Sequence, residues 1–203
     1  MKKGRSGLLL VVAGLVALGI FSPSLARAQL APATPLDPRA MGQVMADFFH
    51  LPVAQVRQLE DTTPFPDLNL PVALFIAQRA HVSADLLLSW RREGKPWLQI
   101  AAQLKVPPTV FFLSIPEQKL GPPYGQAYGY YWKHQRDKKA PIPLSDGEIA
   151  DLVHLRIASS YFKLSPGKIM TLRAGGKSFS KIYALEYAKR HPGKGQKARG
   201  GKG

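Results

Sequence analysis

The chain has 203 residues, enough for one moderate domain or two small ones, and its 45% of apolar residues can form a core. It contains no cysteine, which excludes disulfides, thiolate metal sites, a haem attachment motif and a lipoprotein anchor. The formal net charge of +15 favours anionic partners such as lipopolysaccharide, acidic cell-wall polymers or nucleic acid. The alternative is that the charge serves solubility alone, and composition does not decide between the two.

Residues 1–28 have the organisation of a secretory signal peptide. Three basic residues (Lys2, Lys3, Arg5) precede the apolar run Leu8–Phe21, and Ala26-Arg27-Ala28 supplies the small-x-small motif of a signal-peptidase site. The alternative is a transmembrane anchor, but the run is about 14 residues long and a span needs roughly 20. We expect cleavage after Ala28 and a periplasmic or secreted protein of net charge about +11 with no remaining membrane span. Residues 29–38 are rich in proline and predict an extended leader.

Downstream of the leader, apolar residues recur at helical spacing, and no segment shows the sustained alternation of a strand. This pattern predicts an all-α protein built from tandem short helical hairpins, with a loop at Asp61–Asn69. The predicted helices with their caps, in chain order, are Arg39–Phe49, Leu70–Ala80, Ser83–Gly94, Pro96–Leu104, Thr109–Leu113, Ser145–Phe162, Ser165–Gly176 and Ser178–Arg190.

One sequence unit occurs twice, as Ser83–Ile100 and, 82 residues later, as Ser165–Ile182. Each copy has a serine cap, an arginine near the end of the first helix, a Gly-Lys stop, and an aromatic residue and an isoleucine in the second helix. Phe49–Glu60 resembles a third, degraded copy. We therefore expect helical repeats 1 and 2 at residues 39–113, an insertion at 114–144, repeat 3 at 145–190 and a disordered basic tail at 191–203.

The insertion is rich in glycine, proline and aromatic residues and is the best candidate for ligand binding. Aromatic rings beside cations can stack on sugars or bases while the cations contact anionic groups. The candidate binding residues are Tyr124, Tyr128, Tyr130, Tyr131, Trp132, Lys133 and Arg136. The alternative, which we favour, is a connection that folds back over the helices and uses its rings as core.

The sequence predicts no catalytic, cofactor or metal site. The five histidines lack metal-ligand spacing, there is no G-x-S-x-G motif, and no pair among the 13 acidic residues stands out as a dyad. Gly175-Gly176-Lys177-Ser178 looks like the end of a phosphate loop but lacks the upstream glycine and strand. Leu98–Leu113 resembles a helix-turn-helix, but Thr109–Ile115 offers mainly apolar side chains where base recognition needs polar ones. We therefore expect no sequence-specific DNA binding.

The two full units and the segment GPPYGQAYGYY, residues 121–131, together resemble a group of exported bacterial proteins of uncharacterised function. The similarity covers roughly Arg39–Arg190, and the degraded first copy departs from it, with Glu60 where arginine is expected. The resemblance implies an envelope location and a helical repeat fold, and it transfers no catalytic residue. We therefore expect a non-catalytic envelope protein that docks an anionic polymer or another envelope protein. The alternative is an enzyme or accessory factor acting on cell-wall glycans.

Overall fold

The computed structural model describes residues 39–192, so the predicted signal peptide, the leader and most of the basic tail lie outside the described residues. Within 39–192 every regular element is helical, which confirms the predicted all-α class. The α-helices are α1 Ala40–Phe49, α2 Val53–Thr62, α3 Pro66–Ala80, α4 Ala84–Arg92, α5 Trp97–Gln103, α6 Gly125–Arg136, α7 Asp146–Phe162, α8 Pro166–Ala174 and α9 Phe179–Arg190, with a 3-10 helix at Pro108–Phe111. None of these helices combines the length and the hydropathy that a membrane crossing requires.

The two longest helices, α3 with 15 residues and α7 with 17, form the centre of the described fold. Every residue from Leu70 to Ala77 in α3 is buried, so this part of the helix has no face in water. α3 packs against α4 and α7, α7 packs against α8 and α9, and α1 packs against α2 and α9. Because α3 and α7 are apolar on most sides, the shorter helices gather around them.

The two copies of the sequence unit begin and end their first helices in the same way. Ser83 and Ser165 each accept a hydrogen bond from a backbone N–H in the first turn, as predicted for N-caps. Gly94 and Gly176 follow the helix ends with φ values of 87° and 80°, a conformation that favours glycine. The Gly-Lys pairs are therefore helix stops, as the sequence indicated.

The arginine of each unit also makes corresponding contacts in both copies. Arg91 and Arg173 each donate to the backbone carbonyl of the residue four positions later, at 2.5 and 2.8 Å. Each guanidinium lies over the aromatic ring of the second helix, 5.0 Å from the centroid of Trp97 and 4.8 Å from that of Phe179. The arginine thus closes the turn between the two helices and covers the ring that follows it.

The acidic partner of this arginine differs between the copies. Arg173 pairs with Asp151 of α7 at 2.8 Å. The residue at the same offset in the first copy is Asn69, whose amide oxygen accepts from Arg91 Nε at 3.4 Å. There the carboxylate comes instead from Asp146, which lies 2.9 Å from Arg91 and also accepts the N–H of Trp97. The first copy is therefore joined to α7 through this ion pair.

Three polar residues that precede helix caps in the repeat, His50, His81 and Lys163, are exposed and have left-handed backbones, with φ values of 56°, 55° and 52°. The N–H of the next residue in each case donates to the carbonyl oxygen five positions earlier. This is the Schellman ending of a helix, so each position closes the preceding helix.

The predicted loop at Asp61–Asn69 is too long, because only residues 63–65 lie outside a helix. α2 continues to Thr62, and α3 begins at Pro66, where a proline without an N–H costs the helix no hydrogen bond. The proposed helix at Thr109–Leu113 is a single 3-10 turn, Pro108–Phe111. The insertion contains a helix, α6, that its glycine and proline content did not indicate.

Candidate functional site

Two of the predicted binding residues belong to the core. Tyr124 and Tyr128 are 2% and 0% exposed, and Tyr128 Oη donates to the carbonyl oxygen of Leu113 at 3.0 Å. Burial raises the pKa of Tyr128 to about 12, so this hydroxyl stays neutral. Neither ring is accessible for stacking on a ligand, so these two residues fit the favoured alternative, in which the insertion uses its rings as core. The spacing of tyrosine and glycine in the sequence does not show which rings are covered by the rest of the protein.

The other three aromatic residues of the segment are half-buried, and one of them attaches α6 to the chain that follows the 3-10 helix. Tyr131 stacks on Phe112 with ring centroids 4.5 Å apart, and Trp132 packs against Tyr128 at 5.4 Å. Tyr130 Oη accepts a hydrogen bond from Gln126, one turn earlier. The rings of α6 therefore act mainly in packing and do not form one exposed aromatic patch.

The cations at the end of α6 face solvent. Lys133, Lys138 and Lys139 are exposed, and Arg136 forms two hydrogen bonds to Glu117 at 2.7 and 2.8 Å. Lys138 donates to the side-chain oxygen of Gln135. We call Lys133, Arg136, Lys138 and Lys139 the basic end of α6. Of the predicted site, this cationic part remains available to a partner.

A second candidate, which sequence reasoning missed, is a pocket of about 550 Å³ at the start of α3. Its walls are mainly apolar and come from the first turns of α3 and α9, from α7 and from the end of α8. The lining includes Phe65, Asp67, Leu68, His154, Arg173 and Phe179. Within residues 39–192, Phe65 and Leu68 are the most exposed large apolar side chains, at 75% and 53%. We call this site the α3 pocket.

Phe65 lies at the mouth of the α3 pocket in a strained conformation. Its φ and ψ are 49° and 61°, in the left-handed region that a bulky side chain rarely adopts. The neighbouring turn holds it there, because Asn69 Nδ2 donates to Pro64 O at 2.6 Å and the N–H groups of Leu68 and Asn69 donate to Phe65 O. The strain is about 1–2 kcal/mol, and an exposed ring gains little packing in return. Strain of this kind is typical of functional positions.

His154 is buried at the bottom of the α3 pocket, and both of its ring nitrogens form hydrogen bonds. Pro71 lacks an N–H, so the carbonyl of Asp67, four residues earlier, has no donor within the helix. His154 Nε2 lies 2.7 Å from that oxygen and must donate to it, since a carbonyl only accepts. Nδ1 then accepts from Tyr183 Oη at 3.0 Å. Burial lowers the pKa of His154 to about 4, so the imidazole is neutral at pH 7.

The charged side chains of the α3 pocket are also paired, although Nε of Arg173 is buried without a hydrogen-bond partner among residues 39–192. Arg173 and Asp151 form an ion pair at 2.8 Å, and Ser180 Oγ donates to Asp67 Oδ2. Burial raises the pKa of Asp151, while the guanidinium of Arg173 opposes the rise. A general base needs a nitrogen or oxygen lone pair directed at a substrate. Here both ring nitrogens of His154 are engaged inside the protein, whereas Phe65, Asp67 and Leu68 reach solvent.

Within the described part of the chain, no group of three or more histidine or acidic side chains is arranged to hold a metal ion. Comparison with protein-family models, with curated proteins and with solved structures gave no match. The resemblance to exported bacterial proteins therefore stays a prediction that rests on the quoted motifs.

Proposed function

We propose that this chain is a non-catalytic docking or scaffolding protein of the cell envelope that binds another protein at the α3 pocket. The observation that carries the proposal is the exposure of Phe65 and Leu68 beside a mainly apolar pocket, in which His154 is hydrogen-bonded within the protein and Arg173 pairs with Asp151. Large exposed apolar side chains around a concavity are typical of interaction sites. The envelope location is supported by the signal-peptide pattern of residues 1–28.

The test is retention of the purified protein on the envelope fraction of its own cells. The Phe65→Gly/Leu68→Ser variant removes both exposed apolar side chains, and we expect at least tenfold weaker retention. Leu86→Ser is the matched control, because Leu86 is 39% exposed on α4 and does not line the α3 pocket. Absence of retention for the unmodified protein, or equal retention of the double variant, would contradict the proposal.

A second candidate function, docking of an anionic polymer, is favoured by the exposed cations at the basic end of α6. We expect binding to purified lipopolysaccharide or cell-wall polymer to weaken steeply with salt, because charge pairing is screened. Changing Lys133, Arg136, Lys138 and Lys139 to alanine should then reduce binding at least tenfold. The matched control changes Arg92, Lys119, Lys168 and Lys181, which are exposed elsewhere, to alanine. Binding that ignores salt, or that falls equally in both variants, excludes a specific role for α6.

A further inference from the structure

We infer that the α3 pocket recognises a segment of a partner protein in which a large apolar side chain stands next to lysine or arginine. The inference rests on the proposed function, since it names the chemistry of the partner that the same site would bind. The apolar part follows from Phe65, Leu68 and the mainly apolar walls. The volume of about 550 Å³ is within the range of sites that hold one or a few side chains.

The lysine or arginine of the partner segment is inferred from the negative charge at the pocket. In a chain of net charge +15, three carboxylates occur close together where α2 ends and α3 begins: Glu60, Asp61 and Asp67. Asp67 lines the α3 pocket, whereas Glu60 and Asp61 line a separate depression that also contains Arg57. Burial and then the charges of Asp67 and Asp61 raise the pKa of Glu60, and Arg57 opposes the rise. Asp61 and Asp67 are exposed. The other charged residues of the lining, Asp151 and Arg173, pair with each other, so Asp67 leaves the pocket with an exposed negative charge. A cation on the partner would pair with this carboxylate, whereas an anionic segment would be repelled by it.

The same observations disfavour two other occupants. Phe65 and Leu68 together expose on the order of 250 Å², far below the roughly 800 Å² per partner of a stable interface between two proteins. A second folded copy would need further complementary surface around the pocket, while a short segment needs less area. An anionic membrane surface would meet Asp61 and Asp67, which repel it. A peptide with an apolar residue between cations satisfies both features of the site.

The experiment titrates three capped peptides into the full isotope-labelled chain and follows backbone amide shifts by NMR. The peptides are acetyl-Gly-Lys-Phe-Lys-Gly-amide, its Phe-to-Ala analogue and its Lys-to-Glu analogue. We expect shifts confined to Phe65–Leu68, Ala150–His154 and Ser178–Ser180 with the first peptide, and at least tenfold weaker binding of the other two. Shifts centred elsewhere, or equal affinity for the lysine and glutamate peptides, overturn the inference.

Two variants test the two halves of the recognition separately. Asp61→Asn/Asp67→Asn keeps an acceptor for Ser180 and should reduce the preference for lysine over glutamate at least threefold, with little effect on the unfolding midpoint. Phe65→Gly/Leu68→Ser should weaken both peptides together, whereas Leu86→Ser should leave them unchanged. An unchanged preference in the aspartate variant would show that the charge argument is wrong.

The controls also separate this inference from the proposed function. Envelope retention that depends on Phe65 and Leu68 without any peptide selectivity would leave the docking function standing and refute the partner chemistry. Selective peptide binding without envelope retention would support the partner chemistry and contradict the docking function. Concentration-dependent self-association through the pocket, or binding to phosphatidylglycerol vesicles that requires Phe65, would assign the site to a second copy or to a membrane and would refute the inference.

Discussion

His154 combines two structural tasks in one side chain. It replaces the helical hydrogen bond that Pro71 cannot make, and it orients Tyr183 of α9 against α7. Its ring stacks on Phe179 with centroids 4.5 Å apart. A buried histidine in a pocket suggests a catalytic base, but here the partners of both nitrogens explain why the residue is needed.

We predict that protonation of His154 destabilises the protein below neutral pH. Its pKa is lowered to about 4 in the folded state, from about 6.5 in the unfolded chain, so the unfolded state binds more protons between these values. This contribution to stability is complete above pH 6.5 and is lost as the pH falls toward 4, at about 1.4 kcal/mol per pH unit.

The measurement is urea unfolding at pH 7 and pH 5 for the unmodified protein and for His154→Gln. The glutamine amide can still donate to Asp67 O but does not titrate. Asp67, Asp151 and Arg173 face the same site in both proteins, so the difference between them isolates the imidazole. We expect the unmodified protein to lose about 2 kcal/mol more than the variant. Parallel losses would show that His154 is not buried as a neutral ring.

At Phe65 we predict that binding and stability respond in opposite directions. Glycine removes the left-handed strain of φ 49°, so Phe65→Gly should raise the free energy of unfolding by up to about 1 kcal/mol while it weakens docking. Chemical denaturation measures the first effect, with Leu68→Ser as a variant that removes exposed apolar surface without relieving backbone strain. A loss of stability in Phe65→Gly would mean that the ring serves packing.

At the scale of the helices, the two copies show how one arginine joins three elements. Arg173 contacts the turn after α8, the ring of Phe179 in α9 and the carboxylate of Asp151 in α7. In the first copy, the amide oxygen of Asn69 and the carboxylate of Asp146 both contact Arg91 in place of that carboxylate. The serine cap, the glycine stop and the contacts of the arginine with its turn and ring are therefore shared by both copies, and the contact with the neighbouring helix differs.

We predict that the two partners of the Arg173–Asp151 pair are unequal in their effect. Asp151→Asn keeps an acceptor, as Asn69 does in the first copy, and should cost about 1 kcal/mol. Arg173→Met leaves a carboxylate that is only 18% exposed without its cation and should cost about 2–3 kcal/mol. Urea unfolding at pH 7 measures both, and the exposed Arg92→Met is the control. Equal effects of Arg173→Met and Arg92→Met would contradict this prediction.

At the scale of the whole molecule, positively charged side chains outnumber negatively charged ones. The net charge is +15, and the ion pairs of the described residues include exposed ones such as Arg136–Glu117 and Lys95–Glu93. Exposed pairs contribute little to stability, whereas repulsion among many cations opposes the compact state.

We therefore predict that salt stabilises the protein. Raising sodium chloride from about 20 to about 300 mM should screen the repulsion and raise the Tm by roughly 2–4 °C, equivalent to about 1 kcal/mol. Thermal unfolding followed by circular dichroism measures the shift. A variant with Arg92, Lys119, Lys168 and Lys181 changed to alanine should respond less, and a Tm that falls with salt would show that ion pairs dominate.

Features that depend on neighbouring residues in sequence were predictable. The caps at Ser83, Ser165 and Ser178 and the capping box at Ser145 are present, because a cap needs only the first turn of its helix. The helix stops at Gly94 and Gly176 follow for the same reason. The loop predicted at Asp61–Asn69 is too long, because a proline at the first position of a helix and a proline in a loop have the same local signal.

The sequence by itself determined the all-α class, the caps and glycine stops of the duplicated unit and the excess of positive charge, all of which depend on residue type and short-range spacing. Only the tertiary structure decided that Tyr124 and Tyr128 are core and that Asp67 and His154, 87 residues apart, share one hydrogen bond. It also decided that Phe65 and Leu68 stay exposed beside a pocket. Burial depends on which distant helices cover a face, and no local pattern contains that information. The candidate site consequently moved from the insertion to the start of α3.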